Sequence, residues 1–256
     1  MERSRDPPGS CGCVLFSVCS RQGHPPPRRR TEMQRHFELA LESLKADIIK
    51  MGSLAEEGIA SAIRSLQSRD TALARSVIDR DVEINALETR NDRAVVDLLA
   101  LQQPVATDLR FILAALKINN DLERIGDHAV NIAESALQYA EREPLSLFVD
   151  LPRMSSVTMD MLRDSIDSFI HSDPLKSRSV LVNDDVIDDL NRKIVGDLSA
   201  AMRRDPACID QALELIRVSR NLERVADLAT NIAEEVIFIA EAQNVKHNVE
   251  KTVPGH

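Results

Sequence analysis

The chain has 256 residues, 43% of them apolar, with no Trp, one Tyr and a formal net charge of −9. That length can bury one large core or two small ones, and an apolar stock of mostly Ala, Leu and Ile favours helix over sheet. The acidic balance excludes a nucleic-acid surface, which needs a basic stripe to neutralise phosphates, and suits cations or a basic partner.

Residues 1–32 contain "HPPPRRR" and lack apolar periodicity, so they read as a disordered N-terminal extension. Cys11, Cys13, Cys19 and His24 are zinc-ligand types within it, but the composition of the arm outweighs a zinc reading. Cys208 stands alone, so no disulfide framework is expected. "CGCVLFSVC" is too short to cross a bilayer and has no cleavage site after it, so the protein is expected to be cytoplasmic, without direct membrane insertion.

From residue 33 the prolines punctuate helices. Asp173-Pro174 and Asp205-Pro206 each read as an N-cap followed by Pro at the first helical position, and Asp70 sits where a third cap falls. These marks predict helices near 35–68, 71–101, 106–141, 153–171, 174–203 and 206–243. The chain also repeats itself. At an offset of 103, Met51 meets Met154, Ile63 meets Ile166, Asp70 meets Asp173 and Ile84 meets Ile187. In the third helix the offset becomes 100. A period this long is not a solenoid unit. It predicts an all-α fold of two similar three-helix bundles related by pseudo-two-fold symmetry. The first spans 33–143 and the second 144–246, with a flexible tail over 247–256.

The third helices carry the strongest repeat: "DLERIGDHAVNIAE" at 121–134 and "NLERVADLATNIAE" at 221–234. At 100° per residue, Glu123, Asp127, Asn131 and Glu134 fall within about 80° of one another. The apolar residues Ile118, Leu122, Ile125, Ala129 and Ile132 lie opposite. Glu223, Asp227, Asn231 and Glu234 form the same stripe in the second copy, although Arg220 replaces Asn120. A solvated helix face is the ordinary reading of such a stripe. Against it, this one recurs while its neighbours drift and contains no Lys. It also sets Glu and Asp four apart, a like-charge pair destabilising by roughly 0.2–0.5 kcal/mol. A bridging cation removes that repulsion, and carboxylate and amide oxygens suit a hard or borderline divalent ion. Acidic runs in the second helices, "DRDVE" (Asp79, Asp81, Glu83) and "NDDVIDD" (Asp184, Asp185, Asp188, Asp189), offer further oxygens. Asp81, Asp185 and Asp188 are the additional candidates, alongside Glu134 and Glu234. Arg124 and Arg224 are expected to pair with a second-helix carboxylate, and His128 to be a surface residue or minor ligand.

"LRFILAALKINNDLERIGDHAVNIAE", "NLERVADLATNIAEEV" a hundred residues on, and "HFELALESLKADIIKMG" in the first helix together resemble the PhoU family of phosphate-uptake regulators. The resemblance implies two three-helix bundles and a cytoplasmic accessory protein of the high-affinity phosphate ABC transporter and its sensor histidine kinase. It implies metal bound on the E(D)xxxD motifs, here Glu123 with Asp127 and Glu223 with Asp227. Divalent or trivalent metal ions are expected, iron or zinc clusters first, with manganese or magnesium as alternatives, and a homodimer. No catalytic residue is expected, since no GxxxxGK[ST] loop occurs and no His has Glu three residues before it. The rival reading is a metal-free helical adaptor whose acidic stripes meet a basic partner surface.

Overall fold

The computed structural model describes residues 32–102, 104, 106–145 and 149–242, which leaves the Cys-rich arm and the 247–256 tail outside the described residues. The described residues form helices and short connections without a strand. The first bundle is α1 (Glu32–Ser68), α2 (Thr71–Gln102) and α3 (Ala106–Ala140). The second is α4 (Leu151–His171), α5 (Pro174–Val182), α6 (Asp184–Arg204) and α7 (Ile209–Glu241), with a 3₁₀ turn at Pro206–Cys208 before α7.

The expected Asp caps are present. Asp70 accepts from the backbone N–H groups of Ala72 and Leu73, both at 3.0 Å. Asp173 accepts from Leu175 and Lys176 at 3.0 and 3.1 Å, and Asp205 from Ala207 at 3.0 Å. Each satisfies donors that a helix start leaves unpaired. The residue before the first two caps, Arg69 or Ser172, is left-handed at φ 56° or 53°. That conformation ends the preceding helix and turns the chain back.

One sequence expectation is corrected. The helix expected over 174–203 is broken at Asn183, whose N–H reaches Val180 O at 3.1 Å in a tighter three-residue step. The place equivalent to Asn183 in the first bundle is Arg80, and there α2 runs through. Arg is a good helix former, whereas Asn and Asp, which make up the run Asn183-Asp184-Asp185, have lower helix propensity.

The two bundles share a single apolar core. Its spine is the contact between α3 and α7. Lys117 Nζ pairs with Glu235 at 2.9 Å, Arg217 with Glu134 at 3.0 Å, and His128 Nδ1 meets Asn221 Oδ1 at 2.8 Å. As residue numbers rise on α3 their partners fall on α7, so the helices are antiparallel. The pairs centre on Ile125 and Val225, both fully buried and equivalent at the offset of 100. A local two-fold therefore passes between them. α1 and α4 meet beneath, where Arg163 reaches Glu56 at 3.0 Å and Ile166 lies 3.2 Å from the place a Cβ on Gly52 would take.

Because the seam is core rather than surface, neither bundle is complete alone. A fragment of residues 32–145 is expected to lose cooperative melting or to self-associate through bare α3, while the full chain melts in one transition. Sedimentation and calorimetry check this; a monomeric fragment with the midpoint of the full chain would contradict it.

Candidate functional site

With the apolar faces of α3 and α7 committed to the core, the opposite faces look outward along α2 and α6. Glu123, Asn131, Glu223, Asp227 and Asn231 are half-buried there, while Asp127 is exposed. Two acidic grooves result. In the first, Asp81 and Glu88 of α2 lie against Glu123 and Asp127 of α3. Burial pushes the Glu123 carboxyl above the usual range, and the negative charges of Asp127, Glu88 and Asp81 push it further, with Arg124 opposing. Burial likewise raises Asp81, against its hydrogen bond from Asn85, and Asp127 adds to the rise. In the second groove burial raises Asp184, then Asp227, Asp188, Asp185 and Glu223 raise it further.

The close approach in the first groove depends on Gly126. A Cβ there would stand 2.9 Å from Ile84 Cδ1 and 3.2 Å from Asp81 Oδ1. Gly126 thus lets α2 bring Asp81 against α3. Asp81 Oδ2 accepts from Asn85 Nδ2 at 2.7 Å, but its Oδ1 is buried without a hydrogen-bond partner. An unpaired buried carboxylate oxygen among like charges is a strained arrangement without a cation.

The sequence candidates are distributed unevenly around these grooves. Asp81 faces α3 from α2, and Asp188 and Asp185 stand beside Asp184 on α6. Glu88 is an addition, and Asp184, named in the acidic run but not singled out there, joins the candidates. An offset of 103 carries Asp81 onto Asp184, and Glu88 lies two turns from Asp81 on the same face. Both signals were present in the sequence. Glu134 points across the seam to Arg217, and Glu234 is half-buried at the matching place on α7. Asp189 pairs with Arg192 at 2.8 Å, Glu83 lies 3.7 Å from Arg80, and Asp79 is exposed.

Two further expectations are corrected. Arg224 pairs with Asp227 of its own helix at 3.1 Å rather than with a second-helix carboxylate, because a three-residue step already brings the two side chains together. His128 belongs to the seam, where burial lowers its pKa and Asn221 opposes that shift.

The donor set is all oxygen, which fits a hard or borderline divalent cation. Among the described residues no three Asp, Glu, His or Cys side chains are gathered into a ready-made cage. The orphaned Asp81 Oδ1 and the raised carboxyls are the features that fit a cation; Arg224 on Asp227 makes the second groove the less open.

Two segments, 48–136 and 151–236, match a family model described as the PhoU domain, one in each bundle. A "Phosphate-specific transport system accessory protein PhoU homolog" of Aquifex aeolicus is 41% identical over 207 residues, 81% of this chain and 94% of that one. A protein of the same description from Caulobacter vibrioides is 37% identical, covering 77% and 86%. The crystal structure of PhoU from Pseudomonas aeruginosa superposes with a TM-score of 0.79 at 34% identity, covering 81% of this chain and all of that one. The phosphate transport system regulatory protein PhoU from Streptococcus pneumoniae gives 0.75 at 28% identity, with 82% and 99% covered.

The raised carboxyls make a pH prediction for metal-free protein. A carboxyl whose pKa rises on folding stabilises the fold while protonated. That contribution is full below the unfolded value near pH 4 and is lost as pH rises through the folded value. Glu123→Gln removes the loss, so it should gain stability relative to the parent from about pH 4 towards pH 7. Relief of roughly 0.5 kcal/mol of like-charge repulsion corresponds to about 1–2 °C in melting temperature. Melting both proteins across that range checks the sign, and a variant that falls behind the parent at pH 7 would refute it.

Proposed function

Because the chain belongs to the PhoU family, we propose that it is an accessory regulator of a high-affinity phosphate ABC transporter, not an enzyme. It holds the phosphate-starvation response off through the sensor histidine kinase when phosphate is plentiful. It works in the cytoplasm as a homodimer, and divalent metal, iron or zinc first and manganese or magnesium after, sits in the two acidic grooves. Among the described residues no helix is long and apolar enough to cross a membrane, which suits an accessory protein that meets its transporter from the side.

The observation that carries the regulatory role is the family match in both bundles, spanning the stripe residues of each. The observation that supports the metal is the buried, unpartnered oxygen of Asp81 beside Glu123 and Asp127. A bound cation would make α2 and α3 a single rigid surface, since it would join carboxylates that otherwise repel. Glu123 and Asp127 from α3, with Asp81 from α2, are the residues that would hold it in the first groove. Glu223 and Asp227, with Asp184, would do so in the second. Asn131 and Asn231 extend each stripe with amide oxygens.

The Arg224–Asp227 pair favours a second reading, in which the grooves are metal-free docking faces for a basic partner. The two readings part at the double variant Glu123→Ala/Asp127→Ala. Under the metal reading it loses metal-dependent stability; under the adaptor reading its stability ignores chelators and only partner binding fails.

Deletion of the gene tests the regulatory role. Phosphate-responsive genes are expected to stay on in phosphate-rich medium and to be silenced by the wild-type chain supplied in trans. Unchanged expression in the deletion strain would remove the assignment.

A further inference from the structure

The duplication provides an internal comparison that singles out one cavity. Between α1, α2 and α3 lies a space of about 160 Å³ whose floor is Leu54, Val77, Ile84 and Ala129. The second bundle fills the equivalent place. Gly58, on the cavity wall, corresponds at the offset of 103 to Met161, which is 1% exposed, and Gly126 corresponds to Ala226. Above that methionine, Lys176 closes the surface with ion pairs to Asp164 and Asp167 at 3.1 and 2.6 Å. The first bundle has Leu73, Ser61 and Arg64 at those three positions, so neither the plug nor the ionic cover exists there.

The lining has two chemically distinct ends. Arg64 and the hydroxyls of Ser61 and Ser76 lie at one, with Arg64 Nη2 donating to Ser61 Oγ at 2.9 Å. That guanidinium keeps further N–H donors for an anion. Arg80 is occupied, since it grips Glu57 through two hydrogen bonds of 2.7 and 3.1 Å. Asp81 lines the inner part, and its Oδ1 is buried and lacks a donor. An ammonium in the cavity would give the Asp81 carboxylate the counter-charge that Asn85 does not supply. The volume is that of a cavity able to take a ligand the size of benzene, about six to nine non-hydrogen atoms.

We propose that this cavity is a binding site for a small zwitterion of the amino-acid class, with carboxylate at Arg64, Ser61 and Ser76 and ammonium at Asp81. The short hydrocarbon between them rests on the apolar floor. The second bundle has lost or never had the site, because Met161 occupies its space. The site shares Asp81 with the metal reading, so a bound cation would compete with the ammonium, and the site is tested on metal-free protein.

The probe is γ-aminobutyrate, with butyrate and butylamine as its two halves, titrated into the full chain by calorimetry and saturation-transfer NMR. γ-Aminobutyrate is expected to bind at least about tenfold more tightly than either half. Gly58→Met, which installs the plug the second bundle already uses, should abolish binding of all three. A Cβ there would stand 3.3 Å from Ala129 Cβ, and the second bundle carries a methionine at this position with Ala229 equivalent to Ala129. Arg64→Gln, on the exposed side of α1, leaves the packing alone. It should bring γ-aminobutyrate down to the affinity of butylamine without changing butylamine itself. No binding of γ-aminobutyrate at about 10 mM, equal affinity for the three probes, or binding indifferent to Arg64→Gln would each overturn the proposal, whether or not Gly58→Met folds.

Discussion

Everything in this protein is hung on the antiparallel contact between α3 and α7. Each helix presents one apolar face to the shared core, and Ile125, Ile132, Val225 and Ile232 are fully buried by it. Burying such side chains contributes roughly 1.5–3 kcal/mol apiece. A half-turn of α3 about its axis, roughly 180°, would replace that face with the Glu123–Asp127 stripe. The seam therefore fixes where the carboxylates point. It also explains the polar pairs that cross it: Glu235 is nearly buried, and Lys117 compensates its charge at 2.9 Å. The seam holds the two grooves at a set separation on one unit.

The duplication separates what the fold needs from what one half has adapted. Both copies keep the capping Asp, the left-handed residue before it and the Glu–Asp pair of the third helix. Both also keep a groove-facing Asp from the middle helix, Asp81 or Asp184. The surroundings differ. Gly126, where the second copy has Ala226, leaves room for Ile84 and Asp81, Arg80 carries a helix through where Asn183 breaks it, and a buried Met161 stands where the first copy has Gly58. In the first groove Asp81 has the orphaned oxygen.

Much of this was legible in the sequence because the signals were local and repeated. Proline and Asp marked the helix starts, and the 3.6-residue period gave the core face of α3. The repeat gave the two bundles. Features that depend on a partner helix were not legible. Glu134 shares the angular sector of Glu123, but Arg217 draws it across the seam, and nothing on α3 alone shows that. His128 reads as surface until α7 covers it with Asn221. The break at Asn183 carries neither Pro nor Gly, and its only local signal is the low helix propensity of the run Asn183-Asp184-Asp185. Asp184 was named in its acidic run without being singled out, although the repeat register already made it the equivalent of Asp81.

The central claim is that the paired stripes exist to hold a cation. Elemental analysis of protein purified without a His tag, stripped and then offered iron, zinc and manganese, tests it most directly. Metal present at 100 times its dissociation constant would stabilise the fold by about 2.7 kcal/mol, a shift of several degrees for a chain this size. The account predicts at least one divalent ion per chain, a melting temperature that falls on chelation, and loss of the first-groove ion on Glu123→Ala/Asp127→Ala. A small fraction of one ion per chain under all three metals, with a midpoint indifferent to chelator, would contradict it and leave the stripes as docking faces.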